Sequence, residues 1–208
     1  MLMIRANGAN RNLLITAAAS PRCFLTERRI TATDVPLAFC LHLRRHIGGG
    51  QIKRVSALPF ERILRVDIAS RGDLGEELER VMFVEIMGKY SNVVLTDGAL
   101  RITDALKHVS LGEGRPVLPG VTYEPPSDPS RFAPVDREAA DNIRRTTNED
   151  DLPSVMMKRM LGLSAATARE IVARSEGGNL AYGANALLAE EIRPVCYYDG
   201  EKPLDFSF

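Results

Sequence analysis

No apolar run in this 208-residue sequence approaches the roughly 18 residues of a membrane-spanning helix, and no signal peptide precedes the first predicted strand. A soluble cytoplasmic protein without membrane contact is expected. Neither sign of charge prevails, since Lys plus Arg and Asp plus Glu each number 27. A nucleic-acid partner must then be held by local patches and not by a general basic field. Cys23, Cys40 and Cys196 are odd in number and far apart, which argues against a disulfide framework and for reduced thiols. No C-x-x-C or clustered His/Cys spacing suggests zinc. The G-x-x-x-x-G-K-[ST] and G-x-G-x-x-G phosphate loops are also missing. No motif ties a serine or cysteine to a histidine, and His108, in a strand-like run, reads as a hydrogen-bonded core or rim residue and not as a general base. The expectation is a chain with no enzyme active site, cofactor, metal or small-molecule substrate.

What is present is an apolar content of 45%, enough for a real core in one large domain or two small ones. Residues 2–6 read as a strand that turns at Asn7-Gly8 into a second strand over 12–18. Pro36 opens a helix with apolar residues Leu37, Phe39, Cys40, Leu43 and Ile47, stopped by Gly48-Gly49-Gly50. Strands follow over 51–57, 63–69, 81–87 and 92–96, with another near 100–108. Asp73-Leu74-Gly75 falls in a loop, and Asp97-Gly98 reads as a two-residue hairpin turn. Local pairing of this kind predicts a mainly antiparallel sheet. Prolines then crowd between Pro116 and Pro134, predicting an extended, semi-rigid linker. Helices are predicted over 137–146, 152–161, 164–175 and 179–193.

The run Val84-Glu85-Ile86-Met87-Gly88-Lys89-Tyr90-Ser91-Asn92-Val93-Val94-Leu95-Thr96-Asp97 places a cation, an aromatic ring, a hydroxyl and an amide between two β-branched strands. Lys89 can meet a phosphate, Tyr90 can stack on a base, and Ser91 and Asn92 can bond to sugar or base edges. Equally, Ser91 and Asn92 can serve only to stabilise the turn. In Phe60-Glu61-Arg62, an arginine beside a carboxylate can clamp a phosphate, or the two form a plain surface pair. Arg44, Arg45 and His46 form a basic helix edge or complement the negative end of their helix. Residues 157–171 have the spacing of a helix-hairpin-helix unit: Gly162 reverses the chain, Leu163 plugs the helix pair, Ser164 caps the second helix and Ala168 allows close packing. Free N–H groups there, with Lys158, Arg159 and Arg169, can hold a phosphate, although Ser164 stands where such units usually carry a second glycine.

The E-x-M-G-[RK]-x-S-N pattern at Glu85 to Asn92 resembles that of the NFACT-N domain of the RqcH/NEMF family, once labelled fibronectin-binding proteins. Leu43-Arg44-Arg45-His46-Ile47-Gly48-Gly49-Gly50, Lys107-His108-Val109, Pro194-Val195-Cys196-Tyr197-Tyr198 and Lys202-Pro203-Leu204-Asp205-Phe206 are similar to further family segments, in order along nearly the whole chain. The resemblance implies an α+β domain with a mainly antiparallel sheet, similar to the N-terminal domain of formamidopyrimidine-type DNA glycosylases, followed by a small all-α helix-hairpin-helix domain. Glycosylase chemistry lacks its N-terminal proline and glutamate here, since the chain begins Met1-Leu2-Met3. The expected division is residues 1–124, a linker over 125–136, helices over 137–193 and an extension over 194–208. Family members carry a helix and strand before the first strand, so an upstream segment is expected to be missing, as is the long coiled coil beyond Phe208.

By resemblance, the function is ribosome-associated quality control: binding tRNA and a large ribosomal subunit obstructed by peptidyl-tRNA, in support of template-free alanine tailing of the stalled chain. The family links an acidic-arginine pair to tRNA recognition, and Glu61-Arg62 occupies that position with glutamate in place of aspartate. A fibronectin-binding surface adhesin and a non-catalytic interaction scaffold are the alternatives.

Overall fold

The computed structural model describes residues 1–18, 20–28, 35–72, 74–126, 128–190 and 195–207. Its strands run β1 (Leu2–Ala6), β2 (Ala9–Thr16), β3 (Arg22–Thr26), β4 (Gln51–Ala57), β5 (Ile63–Arg71), β6 (Glu77–Glu85), β7 (Asn92–Asp97) and β8 (Ile102–Ala105). One helix, α1 (Ala38–Ile47), lies between β3 and β4. The last five strands form an antiparallel sheet in the order β4-β5-β6-β7-β8, and the first three form a smaller antiparallel sheet. The apolar runs 81–84 and 93–95 are continuous because both faces of this sheet are covered, as such runs imply. Val66, Ile68, Met82, Val84, Val93 and Leu95 face α1, through Phe39 and Leu43, with Leu2, Ile15 and Cys23 packed against them. Burial raises the Cys23 thiol pKa, in keeping with an inert packed thiol. On the opposite face Val81, Phe83 and Val94 meet Val117 and Tyr123.

All three histidines gather where α1 meets β8. His42 Nε2 lies 3.1 Å from Thr103 Oγ1, its ring centroid is 4.2 Å from that of His46, and His108 Nε2 lies 2.8 Å from Asp104 Oδ1. His108 follows the bend at residues 106–107 after β8 and is half-exposed, so it is a rim residue and not a strand residue. The predicted strand over 100–108 shortens to β8 because the chain bends after Ala105.

Several other boundaries shift. β2 begins at Ala9, directly after the Asn7-Gly8 turn, and β3 was not anticipated from its short sequence between Pro21 and the polar residues that follow. In α1 Phe39 and Leu43 are buried, whereas Leu37 and Cys40 are exposed, because residue 40 points away from the sheet that holds 39 and 43. Asp97-Gly98 is not a two-residue hairpin turn. Asp97 Oδ1 accepts from Ala99 N and Arg101 N, the Leu100 N–H donates to the Asp97 carbonyl, and Leu100 takes the positive φ of 61°. The aspartate side chain thus organises a wider turn from its first position. In the β5–β6 loop Leu74 is 96% exposed, while Asp73 lies outside the described residues.

The chain divides into two compact units, Met1–Ser127 and Asp128–Phe208. The second holds α2 (Arg137–Thr146), α3 (Leu152–Arg159), α4 (Ala165–Arg174), α5 (Leu180–Ala189) and an antiparallel hairpin of β9 (Val195–Asp199) and β10 (Lys202–Ser207). The end of the helix predicted over 179–193 lies partly outside the described residues, as does Pro194. Its helical core contains Ala140, Ile143, Leu152, Met156, Met160, Ala168, Ile171 and Leu180. The proline-rich stretch is not solvent-spanning throughout. Val117 and Tyr123 are buried in the first unit, and Phe132 bridges to Met160 in the second. At Gly183, a β-carbon would come within 2.2 Å of the Ile171 carbonyl oxygen, so α4 and α5 approach through the missing side chain.

Candidate nucleic-acid interface

Strand register brings three segments together at one end of the five-stranded sheet. Ile63 pairs with Glu85, and Glu85 pairs with Asn92, so Arg62 and the turn after Glu85 stand side by side. The Ile86 N–H donates to the Arg62 carbonyl at 2.9 Å. The third segment leaves β8: the Leu106 N–H donates to the Val93 carbonyl, which sets Lys107 beside Asn92.

The turn over Gly88–Tyr90 is a single 3-10 turn with Gly88 at φ 56°. That left-handed angle favours glycine, as the sequence suggested. Lys89 and Tyr90 are its exposed tip, with Lys89 Nζ 4.9 Å from the Tyr90 ring centroid and Tyr90 72% exposed. Ser91 and Asn92 point the other way and are buried. Ser91 Oγ accepts from Met87 N at 2.8 Å. Asn92 Oδ1 accepts from Lys107 N at 2.9 Å and its Nδ2 donates to the Lys107 carbonyl at 2.8 Å, a side chain acting as one more rung of the ladder. Of the two uses weighed for these two residues, this geometry supplies the turn-stabilising one.

Glu61 is partly exposed and Arg62 exposed, in a loop where Phe60 adopts a φ of 58°. Arg62 therefore joins Lys89 and Tyr90 as a solvent-facing group at this end. Arg44 and Arg45 do not join them. They sit in the last turn of α1, which leads through Gly50 to the Gln51 end of β4, where Gln51 pairs with Ala69 far from Ile63. Their cations complement the helix C-terminus there.

In the second unit, Gly162 has φ 70°, Leu163 packs partly against the core, and Ser164 Oγ accepts from Thr167 N at 3.1 Å as the N-cap of α4. Lys158 and Arg159 are exposed in the last turn of α3. Arg131 Nη2 donates to the Met157 and Met160 carbonyls, closing the C-terminal end of α3 from the preceding segment.

Two features were not found by motif reading. Beneath the tip, Glu85 is buried and receives Arg115 Nη2 at 2.7 and 2.8 Å and the Tyr123 hydroxyl at 2.9 Å. Tyr123 stacks on Phe83 at a centroid distance of 3.8 Å. Burial first, then the Glu85 carboxylate, holds the Tyr123 phenol far above its usual range, so it remains a donor. Nothing in the sequence links residues 30 positions apart in this way. The other is Lys107, whose only signal was its place in Lys107-His108-Val109. Among the described residues, no helix is long and apolar enough to cross a membrane.

A family model of the NFACT N-terminal and middle domains matches residues 1–207. The chain is 36% identical over 191 residues to the Rqc2 homolog RqcH of Bacillus subtilis (strain 168), covering 89% of this chain and 34% of that protein. It is 30% identical over 175 residues to RqcH of Streptococcus suis (strain 05ZYH33), covering 82% and 32%. The chain thus spans about a third of the length of these relatives. Among solved structures, it is similar to the N-terminal part of the fibronectin/fibrinogen-binding protein from Streptococcus suis, with TM-score 0.80, 28% identity, and coverage of 97% of this chain and 76% of that one. It is also similar to the fibrinogen binding protein from Staphylococcus aureus, with TM-score 0.79, 26% identity, and coverage of 98% and 76%.

Proposed function

Because the chain belongs to the family of the NFACT N-terminal and middle domains, we propose that it is part of a ribosome quality-control factor whose first unit binds tRNA at the Arg62–tip end of the sheet. The observation that carries this reading is the sorting of side chains at that end. Arg62, Lys89 and Tyr90 face solvent, while Ser91, Asn92 and Glu85 are turned inward. Two cations with an exposed ring are a chemistry suited to a single-stranded RNA loop, where phosphates and unstacked bases are both accessible. Glu61 flanks the same loop. The factor also engages a large subunit obstructed by peptidyl-tRNA and supports alanine tailing, the ribosome making each bond and the factor none. In the second unit, the exposed Lys158 and Arg159 and the capped start of α4 offer a phosphate contact in the manner of a helix-hairpin-helix unit.

The test is binding of the 208-residue chain to alanine-accepting tRNA and to an unrelated duplex across a salt series. Preferential tRNA binding, lost in the Arg62→Ala, Lys89→Ala double variant, supports the reading. A parent chain without preference for tRNA overturns it.

A second reading is favoured by the names of the similar solved structures, a surface protein that binds fibronectin or fibrinogen. Saturable binding to immobilised fibronectin, unaffected by Arg62→Ala and Lys89→Ala, would favour it.

A further inference from the structure

We propose that Lys107 is a positioning residue that holds the Lys89–Tyr90 tip in its presenting conformation, an inference that rests on the tRNA-binding reading above. A lysine ammonium has three donors and no acceptor. Two of these donors are directed at main-chain oxygens, 2.7 Å to the Ala17 carbonyl just after β2 and 3.4 Å to the Lys89 carbonyl in the tip. The Lys107 backbone cannot follow the tip, because Asn92 fixes both its N–H and its C=O. Its side chain is therefore a strut from a fixed base.

The tip needs such a strut. Within residues 88–90 the remaining hydrogen bonds are internal to the turn, Tyr90 N to the Met87 carbonyl and Ser91 N to the Gly88 carbonyl. Among the described residues, the Lys107 ammonium is the only group of another element that hydrogen-bonds to residues 88–90. Gly88, at a positive φ with open space around it, gives the turn a soft entry. A charge-assisted bond at the far side of that entry restricts the orientation of Lys89 and Tyr90. The same ammonium ties the end of β2 to the tip, so the small sheet and the large one are joined at the point where RNA would be read. Lys107 acts through Lys89 and Tyr90 and does not itself touch the phosphate.

The experiment measures tRNA affinity of the 208-residue chain across a salt series, with amide hydrogen exchange at Lys89, Tyr90 and Ser91, for the parent, Lys107→Met and Lys107→Arg. Lys107→Met is expected to weaken binding about 3- to 10-fold, the worth of one net hydrogen bond, with the salt slope unchanged and exchange at the tip faster. Lys107→Arg, which keeps a cation of similar reach, is expected to restore most of both. A salt slope shallower by about 0.7 to 0.9 with tip exchange unchanged would make Lys107 a direct phosphate contact and overturn the proposal. Parent-like binding by Lys107→Met overturns it while leaving the tRNA reading intact, whereas a parent that does not bind tRNA removes both.

Discussion

Arg115 Nη2 bridges both carboxylate oxygens of Glu85, at 2.7 and 2.8 Å, while the Glu85 side chain is 1% exposed. The pair joins the end of β6 to the segment that covers the second face of the sheet, with the Tyr123 hydroxyl as a further donor. Arg115→Ala leaves a buried carboxylate short of its cation. The expected cost is about 3 to 5 kcal/mol, read as a lower urea midpoint with unchanged slope. Glu85→Gln, which keeps an acceptor and the side-chain shape, is expected to cost less. Equal stability of Arg115→Ala and parent would show that the carboxylate escapes to water.

The stability of the first unit should fall as the pH drops through the histidine range, with His42 contributing. Its pKa is lowered, first by burial, which outweighs the attraction of Asp104, and also by Arg80 and Arg45. Above about 6.5 the ring is neutral in both folded and unfolded states and contributes no pH dependence. Below that value the unfolded chain takes the proton while the folded ring resists it, so stability is lost until the lowered folded pKa is passed. His42→Asn is expected to flatten chemical-denaturation stability below about pH 6.5. A slope identical to the parent's would remove His42 from the account.

Tyr90→Ala separates binding from folding, because Tyr90 is 72% exposed and packs on no core residue. Thermal stability should stay within about 0.5 kcal/mol of the parent. Loss of a stacked base should weaken tRNA binding by about 1 to 3 kcal/mol. Unchanged binding would confine recognition to the cations.

Gly183→Ala places a methyl group 2.2 Å from the Ile171 carbonyl oxygen, so α4 and α5 must separate. The second unit is expected to lose about 1 to 3 kcal/mol, with its helical signal melting earlier. The first unit, whose apolar clusters share no residue with this one, should melt as before.

Elements whose signal is local were legible in the sequence. β1, β4 and α2 occupy the predicted residues, since their apolar patterns and stop signals lie within each segment. β3 was hidden because five residues between a proline and a polar run give too short a period. Asp97-Gly98 misled because its side chain, and not its glycine, sets the turn. At the site, the pattern from Glu85 to Asn92 located the turn but not the direction of its side chains. Which residues face water depends on the third segment, and Lys107 lies 15 positions from its partner Asn92. The link from Glu85 to Arg115 is more distant still, and no spacing rule announces it.

The inward lock of Ser91 and Asn92 leaves the side chains of Lys89 and Tyr90 without a hydrogen-bonding duty to the frame. Chemistry at those two positions can change without refolding the sheet end, because the scaffold is specified by neighbours that are buried. Under the tRNA-binding reading proposed above, the ring or the cation could be exchanged to suit a different nucleic-acid loop while the buried frame stays as it is, which would make this corner an adaptable reading head on a separate mount.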